Sequence, residues 1–549
     1  MDLDQDFSSC FPVGRITILI LCYYKIFRNN AKELLCLHKH LDTLRAALCS
    51  SEGLILRICL MLAIILTALA NEAVSDNPLP LVESFPLKEI SAQEVMANAN
   101  NSLTVYDRVI IKGDLFLNKY QYNPLKITNS VFRDNVSCQG ATFYGDVDFE
   151  NTTFQRNAIF KETKFMTEAN FNGSHFLGEA SFNMSRFPDG GNFDFTYFKG
   201  VADFASVWFD KFATFYNATF KGDIQFPFSE FNGAYANFES AQCIGDAYFY
   251  GSQFNSYSTF ADARLEKNAD FHATKYSNGV GFFHTRFFGQ ADFARSHFIE
   301  DSIFSQAHFN DTASFLNAKF DGPVFFNDTV FGSDANFDKA QFLAPTDMSY
   351  AAFKGDLIMN STKIAGMVFD GSAFSEGSRL YLAKADINRM IVSWSQIQDI
   401  LSFDTAAYLS LIKNYKDLGQ GNDANECYYE YRYLNQAHKP IGFSKILDVL
   451  AWLSCGYGVR PHYALLCGMV IILLFSIIYW AGRGVEGFHD IHGHQLMVAS
   501  LFYSTIAFTA NSKGLPLRGH YKYLGIAEGI VGWLLMALFL VTLGRLIIG

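Results

Sequence analysis

Several things that this 549-residue chain lacks narrow its function before any motif is read. Its ten cysteines form no C-x-x-C pair, so neither a zinc ribbon nor a thioredoxin-like site is indicated. It has no glycine-rich phosphate loop, no nucleophile elbow and no zinc-protease helix. The chain therefore reads as a non-enzyme with no cofactor and no metal site. Positive charge is also short. With 43 Lys and Arg against 54 Asp and Glu, the formal net charge is -11 and the pI is near 5.6. This argues against nucleic acid as a partner, because phosphate binding needs a basic face.

Phenylalanine is what the chain has in excess: 56 residues, within an aromatic content of 16%. Most belong to one register. From Phe143 the series runs Phe149, Phe154, Phe160, Phe165, Phe171, Phe176, Phe182, Phe187, Phe193, Phe198 and Phe204, with gaps alternating six and five. It holds through Phe215, Phe226, Phe260, Phe293, Phe315, Phe337 and Phe353, and slips between Phe231 and Phe238. Cys138, Cys243, Leu265, Tyr276 and Met348 stand in for Phe, the two cysteines as small core hydrophobes. Two residues before each rung is something small or β-branched, as at Ala141, Val147, Thr152, Ala158 and Thr163. On a helix, residues five and six apart fall in two stripes rather than one seam. The stretch is also rich in Gly, Asn, Asp, Ser and Thr, which are poor helix formers. A solenoid of very short strands is predicted instead, each turn adding one layer to a buried aromatic column.

The register resembles the pentapeptide-repeat family, whose unit is A-(D/N)-(L/F)-x-x. The unit stands at Ala169-Asn170-Phe171, Ala202-Asp203-Phe204, Ala269-Asp270-Phe271, Ala291-Asp292-Phe293 and Ala335-Asn336-Phe337. The resemblance implies a right-handed quadrilateral β-helix with about twenty residues per coil. The regular sixth residue enlarges two of four corners and gives about twenty-two. At a stacking distance of about 4.8 Å, about twelve coils form a rod roughly 55–60 Å long.

The flanks divide the remainder. Residues 1–53 read as a weakly structured tail or an upstream misreading of the start site. Residues 54–70 carry Arg57, an apolar run and Ala68-Leu69-Ala70, which reads as a signal peptide or an uncleaved signal anchor. Nine N-x-S/T sequons between Asn100 and Asn360 agree with export. Residues 71–126 form an N-terminal cap region, with a short helix over 91–98 and a first strand over 109–115. Residues 127–398 form the solenoid, with Ile364, Phe374 and Leu380 as its last irregular rungs. Residues 399–462 form a helical hairpin, with Asp404 as N-cap, and an interfacial linker. Within it, Gly456-Tyr457-Gly458 reads as a surface turn.

Residues 463–549 are membrane-like. Spans are predicted over 463–481 and 524–548, with Glu528 and Arg545 in the second. Between them, 496–509 is apolar but too short to span, the length of a re-entrant pore helix. Span, short helix, loop, span resembles the two-transmembrane pore module of the potassium-channel superfamily, over about 80 residues. Ser500-Leu501-Phe502-Tyr503-Ser504 and Ala507-Phe508-Thr509 match the pore helix. The filter that follows in that family is T-V-G-Y-G-D, whose backbone carbonyls replace the ion's hydration shell. Here the positions are Thr509, Ala510, Asn511, Ser512, Lys513 and Gly514. Ser512 replaces a glycine and Lys513 the aromatic. His489, His492 and His494 precede the pore helix in what reads as a solvated loop.

The layout resembles archaeal or bacterial pentapeptide-repeat ion channels. That implies a multi-pass cell-membrane protein, a homotetramer through the pore module, and monovalent ions, potassium among them, as cargo. Lipid surrounds it. If residues 54–70 direct export, the solenoid is extracytoplasmic, with a ligand or protein on its outer faces; if they do not, the solenoid is cytoplasmic and the pore has the ordinary channel orientation. The other reading is a membrane-anchored scaffold with a non-conducting module. DNA mimicry, a role known among pentapeptide-repeat proteins, does not suit an exported, tethered rod.

Overall fold

The computed structural model describes residues 87–101, 104–121, 123–486, 493–509 and 517–548. The expected tail and signal segment lie outside the described residues, as do His489, His492 and positions 510–514.

The Phe register builds a parallel β-solenoid. One turn holds four short strands, Thr153–Phe154, Ala158–Ile159, Lys164–Phe165 and Ala169–Asn170. Each pairs in parallel with the strand 22 residues on: Thr153 with His175, Ala158 with Ala180, Lys164 with Arg186, Ala169 with Gly191. Identical rungs therefore stack. Phe154 lies 4.7 Å from Phe176 with parallel rings, and Phe160 lies 4.9 Å from Phe182. Neighbouring columns meet edge to face, as Phe160 and Phe171 do at 5.4 Å and 75°. Both arrangements are favoured by the ring quadrupole.

The two gap lengths make two kinds of corner. In the five-residue gap the Thr152 N–H donates to the Phe149 carbonyl, and Asn151 between them has φ 52°. Positive φ at the third residue closes the turn tightly. It recurs every eleven residues, at Glu162, Gly173, Met184 and Phe195. The small residue that follows is often Ser or Thr because its hydroxyl points inward and needs an acceptor. Thr152 donates to the Ile127 carbonyl at 2.7 Å, Thr163 to Cys138 at 2.7 Å and Ser174 to Phe149 at 2.5 Å. The six-residue corner is stitched by side chains instead. Asn157 Oδ1 accepts from the Glu179 N–H at 3.1 Å, and Asp246 Oδ1 from Asn268 at 3.1 Å. Glycine recurs there because successive turns nearly touch: a Cβ on Gly200 would stand 2.4 Å from the Gly178 carbonyl oxygen.

The slip between Phe231 and Phe238 is one inserted residue. Pairing there shifts to 23, with Phe212 beside Tyr235, and returns to 22 at Tyr235 and Tyr257. Gly233 takes the bend against the Lys211 backbone, and no Cβ fits there.

The solenoid is longer than the Phe ladder alone indicates. One strand series holds 14 strands, beginning at Lys88–Ser91, so there are about 14 turns rather than twelve. The first rungs are Ile90, Ile111, Leu115 and Leu125, and the last are Leu357, Met367, Leu380 and Met390, all buried. They lack Phe, which is why the Phe periodicity undercounts them. Strand Val109–Lys112 follows two earlier strands, Lys88–Ser91 and Thr104–Asp107. Helix α1, Ala92–Asn101, buries Ala92, Val95 and Ala99 against the first turns.

Helices α2 (Trp394–Ile397), α3 (Thr405–Asp417) and α4 (Gly421–His438) close the far end. Asp404 caps α3, accepting from the Ala407 N–H at 2.9 Å. Buried Asn414 of α3 replaces a further strand. Its amide donates to the Met390 carbonyl at 2.7 Å and its oxygen accepts from the Met390 N–H at 2.8 Å. A solenoid end otherwise exposes such groups. Helix α5, Phe443–Cys455, leads through Gly456–Gly458, all at positive φ, into the C-terminal helices.

Candidate functional site

The C-terminal helices are α6 (Pro461–Ala481), α7 (His494–Phe508) and α8 (Tyr521–Ile548). By length and composition, α6 and residues Tyr521–Arg545 of α8 can cross a membrane. At 1.5 Å per residue, 21 residues reach about 31 Å, the thickness of a hydrocarbon core. Only 22% and 28% of their most apolar stretches are buried within the chain, unlike the core helix of a soluble domain. Leu466, Val470, Leu473 and Trp533 face outward.

Helix α7 packs against both long helices, which also touch each other. Its 15 residues reach only about 22 Å, short of a bilayer. The contact is made by small residues. Helix α8 buries Gly525, Gly529 and Gly532, and α6 buries Ala464, Gly468 and Ser476. A Cβ on Gly532 would lie 2.0 Å from the Phe508 carbonyl oxygen, and one on Gly468 would touch the Phe508 ring at 3.0 Å. Close backbone approach of this kind is how helices associate in lipid. Helix α7 turns Leu496, Ser500, Ser504, Ala507 and Phe508 inward.

One carboxylate is buried among the three helices. Glu528 of α8 is fully buried. Tyr479 of α6, also fully buried, donates to its Oε2 at 2.7 Å. Ser504 of α7 reaches its Oε1 and also lies 2.8 Å from the Ile472 carbonyl. Each helix thus supplies one polar group to a single cluster. One turn before Ser504, buried Ser500 Oγ has no hydrogen-bond partner among the described residues. An ionisable group within a membrane helix is costly and marks function or a specific packing lock.

Of the six filter positions, the structure places Thr509, an exposed residue at the C-terminal end of α7. Its Oγ1 donates to the Ile506 carbonyl at 3.0 Å. Ala510, Asn511, Ser512, Lys513 and Gly514 lie outside the described residues. Val485, after α6, and Leu517, before α8, pair in an antiparallel bridge. His494 is the first residue of α7. Glu528 was visible in the sequence; its partners Tyr479 and Ser504, 49 and 24 residues away, carried no local pattern.

The solenoid side of the chain meets the start of α6 and the C-terminal part of α8. At the solenoid end, Arg545 of α8 lies over the Tyr428 ring of α4, 5.3 Å from its centroid. Arg432 of α4 bonds Asp448 of α5 at 2.9 Å, and Lys439 bonds it at 2.5 Å. The Lys439 ammonium holds Asp448 below the ordinary carboxylate range, and Arg432 adds to this against the cost of burial. Arg460 pairs with Glu426 at 2.5 Å. Helix α4 therefore joins the last solenoid turns to the ends of α6 and α8.

On the solenoid, Asp270, His272 and Asp292 gather within 4.8 Å of one another. Asp270 Oδ1 is engaged by the His272 N–H at 3.0 Å and by its ring at 2.6 Å. Asp292 Oδ1 accepts from the Ala294 N–H at 2.8 Å, so these side chains close corners. Cys138 and Cys243 are buried free thiols on the aromatic ladder; burial pushes Cys243 up to about 12.

Residues 127–173 and 304–352 match the family model described as pentapeptide repeats, in 9 copies. No curated protein and no solved structure matches the chain. It carries a pentapeptide-repeat solenoid followed by two helices able to span a membrane.

Proposed function

We propose that the chain is a membrane ion channel of the two-transmembrane, potassium-channel-like class, with the solenoid as its sensing or interaction domain. The observation that carries this reading is α7. It is too short to span, yet it is held between two long apolar helices by glycine contacts and the Glu528 cluster. In this reading four copies assemble around a pore through the outward faces of these helices. Thr509, Ala510, Asn511, Ser512, Lys513 and Gly514 carry selectivity for monovalent ions. The membrane is the cell membrane and the solenoid is extracytoplasmic, which puts the pore loop on the cytoplasmic side. A ligand or protein on the solenoid acts through α4, which touches Arg545 on α8.

A second reading is a membrane-anchored scaffold with a non-conducting module. Ser512 and Lys513 favour it, because a filter glycine supplies backbone angles that serine resists and a lysine repels cations. Ion flux from vesicles containing the purified protein separates the two. The channel reading expects flux, and a changed ion preference in the Ser512→Gly/Lys513→Tyr variant. Silence of both proteins overturns it in favour of the scaffold.

A further inference from the structure

Helix α5 is inside out for a helix in water. Phe443, Ile446, Leu447, Leu450 and Leu453 recur at spacings of three and four, a single stripe, and all are exposed. Ile441, just ahead, is 96% exposed and Phe443 is 75% exposed. The opposite side of the helix holds its one acidic residue, Asp448, which is buried with Arg432 and Lys439. A helix in water places these two faces the other way round.

We infer that α5 lies in the plane of the bilayer surface, with this stripe at the boundary between headgroups and acyl chains. The inference rests on the membrane reading of α6 and α8. Continuity with α6 selects the occupant. The Cys467 thiol lies 3.0 Å from the Leu453 carbonyl, so α5 is packed beside the first turns of α6. Cys467 is six residues past Pro461, about 9 Å along the helix axis. That is the depth at which an interfacial helix buries its apolar face, about 5–10 Å. On either side of Cys467, Leu465, Leu466, Met469 and Val470 of α6 are exposed as well. Recognition rests on the apolar stripe, since the nearby cations are each engaged within the chain. Lys439 and Arg432 hold Asp448, and Lys445 donates to the Lys439 carbonyl at 3.0 Å.

The test uses the full chain in phosphatidylcholine nanodiscs doped with a lipid bearing an acyl-chain diazirine. After irradiation, adducts are mapped by mass spectrometry. Residues 443–453 are expected to label about as well as 465–474, and about tenfold above the solenoid strands, as an embedded apolar face requires. Adding phosphatidylglycerol leaves the yield unchanged. Ile446→Asp with Leu450→Asp lowers labelling of α5 several-fold and spares α6. Labelling of α6 with α5 at the solenoid background overturns the inference alone. In that case α5–α5 cross-links identify a second copy as the occupant. Absence of adducts from both helices overturns the membrane reading and this inference together. Yield that rises with phosphatidylglycerol overturns the claim of apolar recognition.

Discussion

At the residue scale, the unit of stability is a ring stacked between two identical rings. Phe182 lies 4.9 Å from Phe160 and 4.8 Å from Phe204, and edge-on to Phe171 and Phe193. Phe182→Ala removes these contacts together with those to Phe176 and Phe187, and leaves a cavity that parallel strands on both sides prevent from collapsing. A loss of about 3–5 kcal/mol is expected. Because each turn touches only its neighbours, the damage is local. Amide hydrogen exchange should rise in the turns that hold Phe160, Phe182 and Phe204 and stay unchanged near Phe315. A uniform rise along the whole solenoid would contradict stacking as the source of order. The ring register was legible in the sequence because a period is a local property. The positive-φ corner was not, since Asn151, Glu162, Met184 and Phe195 share a backbone angle and no side-chain chemistry.

At the scale of elements, two contacts decide how the helices are held. Glu528 joins α6, α7 and α8 through Tyr479 and Ser504. A glutamine can accept from Tyr479 and donate to Ser504, so Glu528→Gln should keep the three helices together. Glu528→Leu strands the Tyr479 hydroxyl, while Ser504 keeps the Ile472 carbonyl, and should cost about 1–3 kcal/mol. The midpoint of thermal loss of monodisperse protein in detergent reads this. Equal midpoints for the two variants would remove the cluster from the account. Asp448 links α4 and α5. Its carboxyl is held below the ordinary range, mainly by Lys439. The stability it adds is therefore fully present above its unfolded value, about 4, and is lost as the pH falls through the lower folded value. Between pH 7 and pH 5 the gap in stability between the native chain and Asp448→Asn should stay constant, and below about pH 4 it should close. A gap that widens in acid would reverse the sign. The helices themselves could be read from apolar runs and from the Asp404 cap. What the sequence hid was which faces meet, because Gly532 against Phe508 and Asn414 against Met390 are contacts between distant segments.

At the scale of the whole molecule, the solenoid core is spent on its own stiffness. Every Phe rung from Phe143 to Phe353 is buried, so the ladder shapes the rod and leaves recognition to its outer faces. Shape and attachment then carry the functional argument. The last turns are capped by α2 and α3, and α4 passes from that cap to Arg545 at the end of α8. Packed contacts thus run from the last solenoid turns to the helix that holds Glu528. The end of the rod was harder to read than its middle, since Leu357, Met367 and Met390 continue the column without the Phe that defines it. The pore reading turns on a segment of six residues, Thr509 to Gly514, of which the fold positions the first. Planar-bilayer recording of the purified full-length protein tests the central claim most directly. Discrete unitary currents carried by monovalent ions, abolished in Gly532→Leu where α7 can no longer seat against α8, are the predicted result. A silent bilayer across voltage and pH, with protein shown to be inserted, would contradict the channel and leave the anchored scaffold.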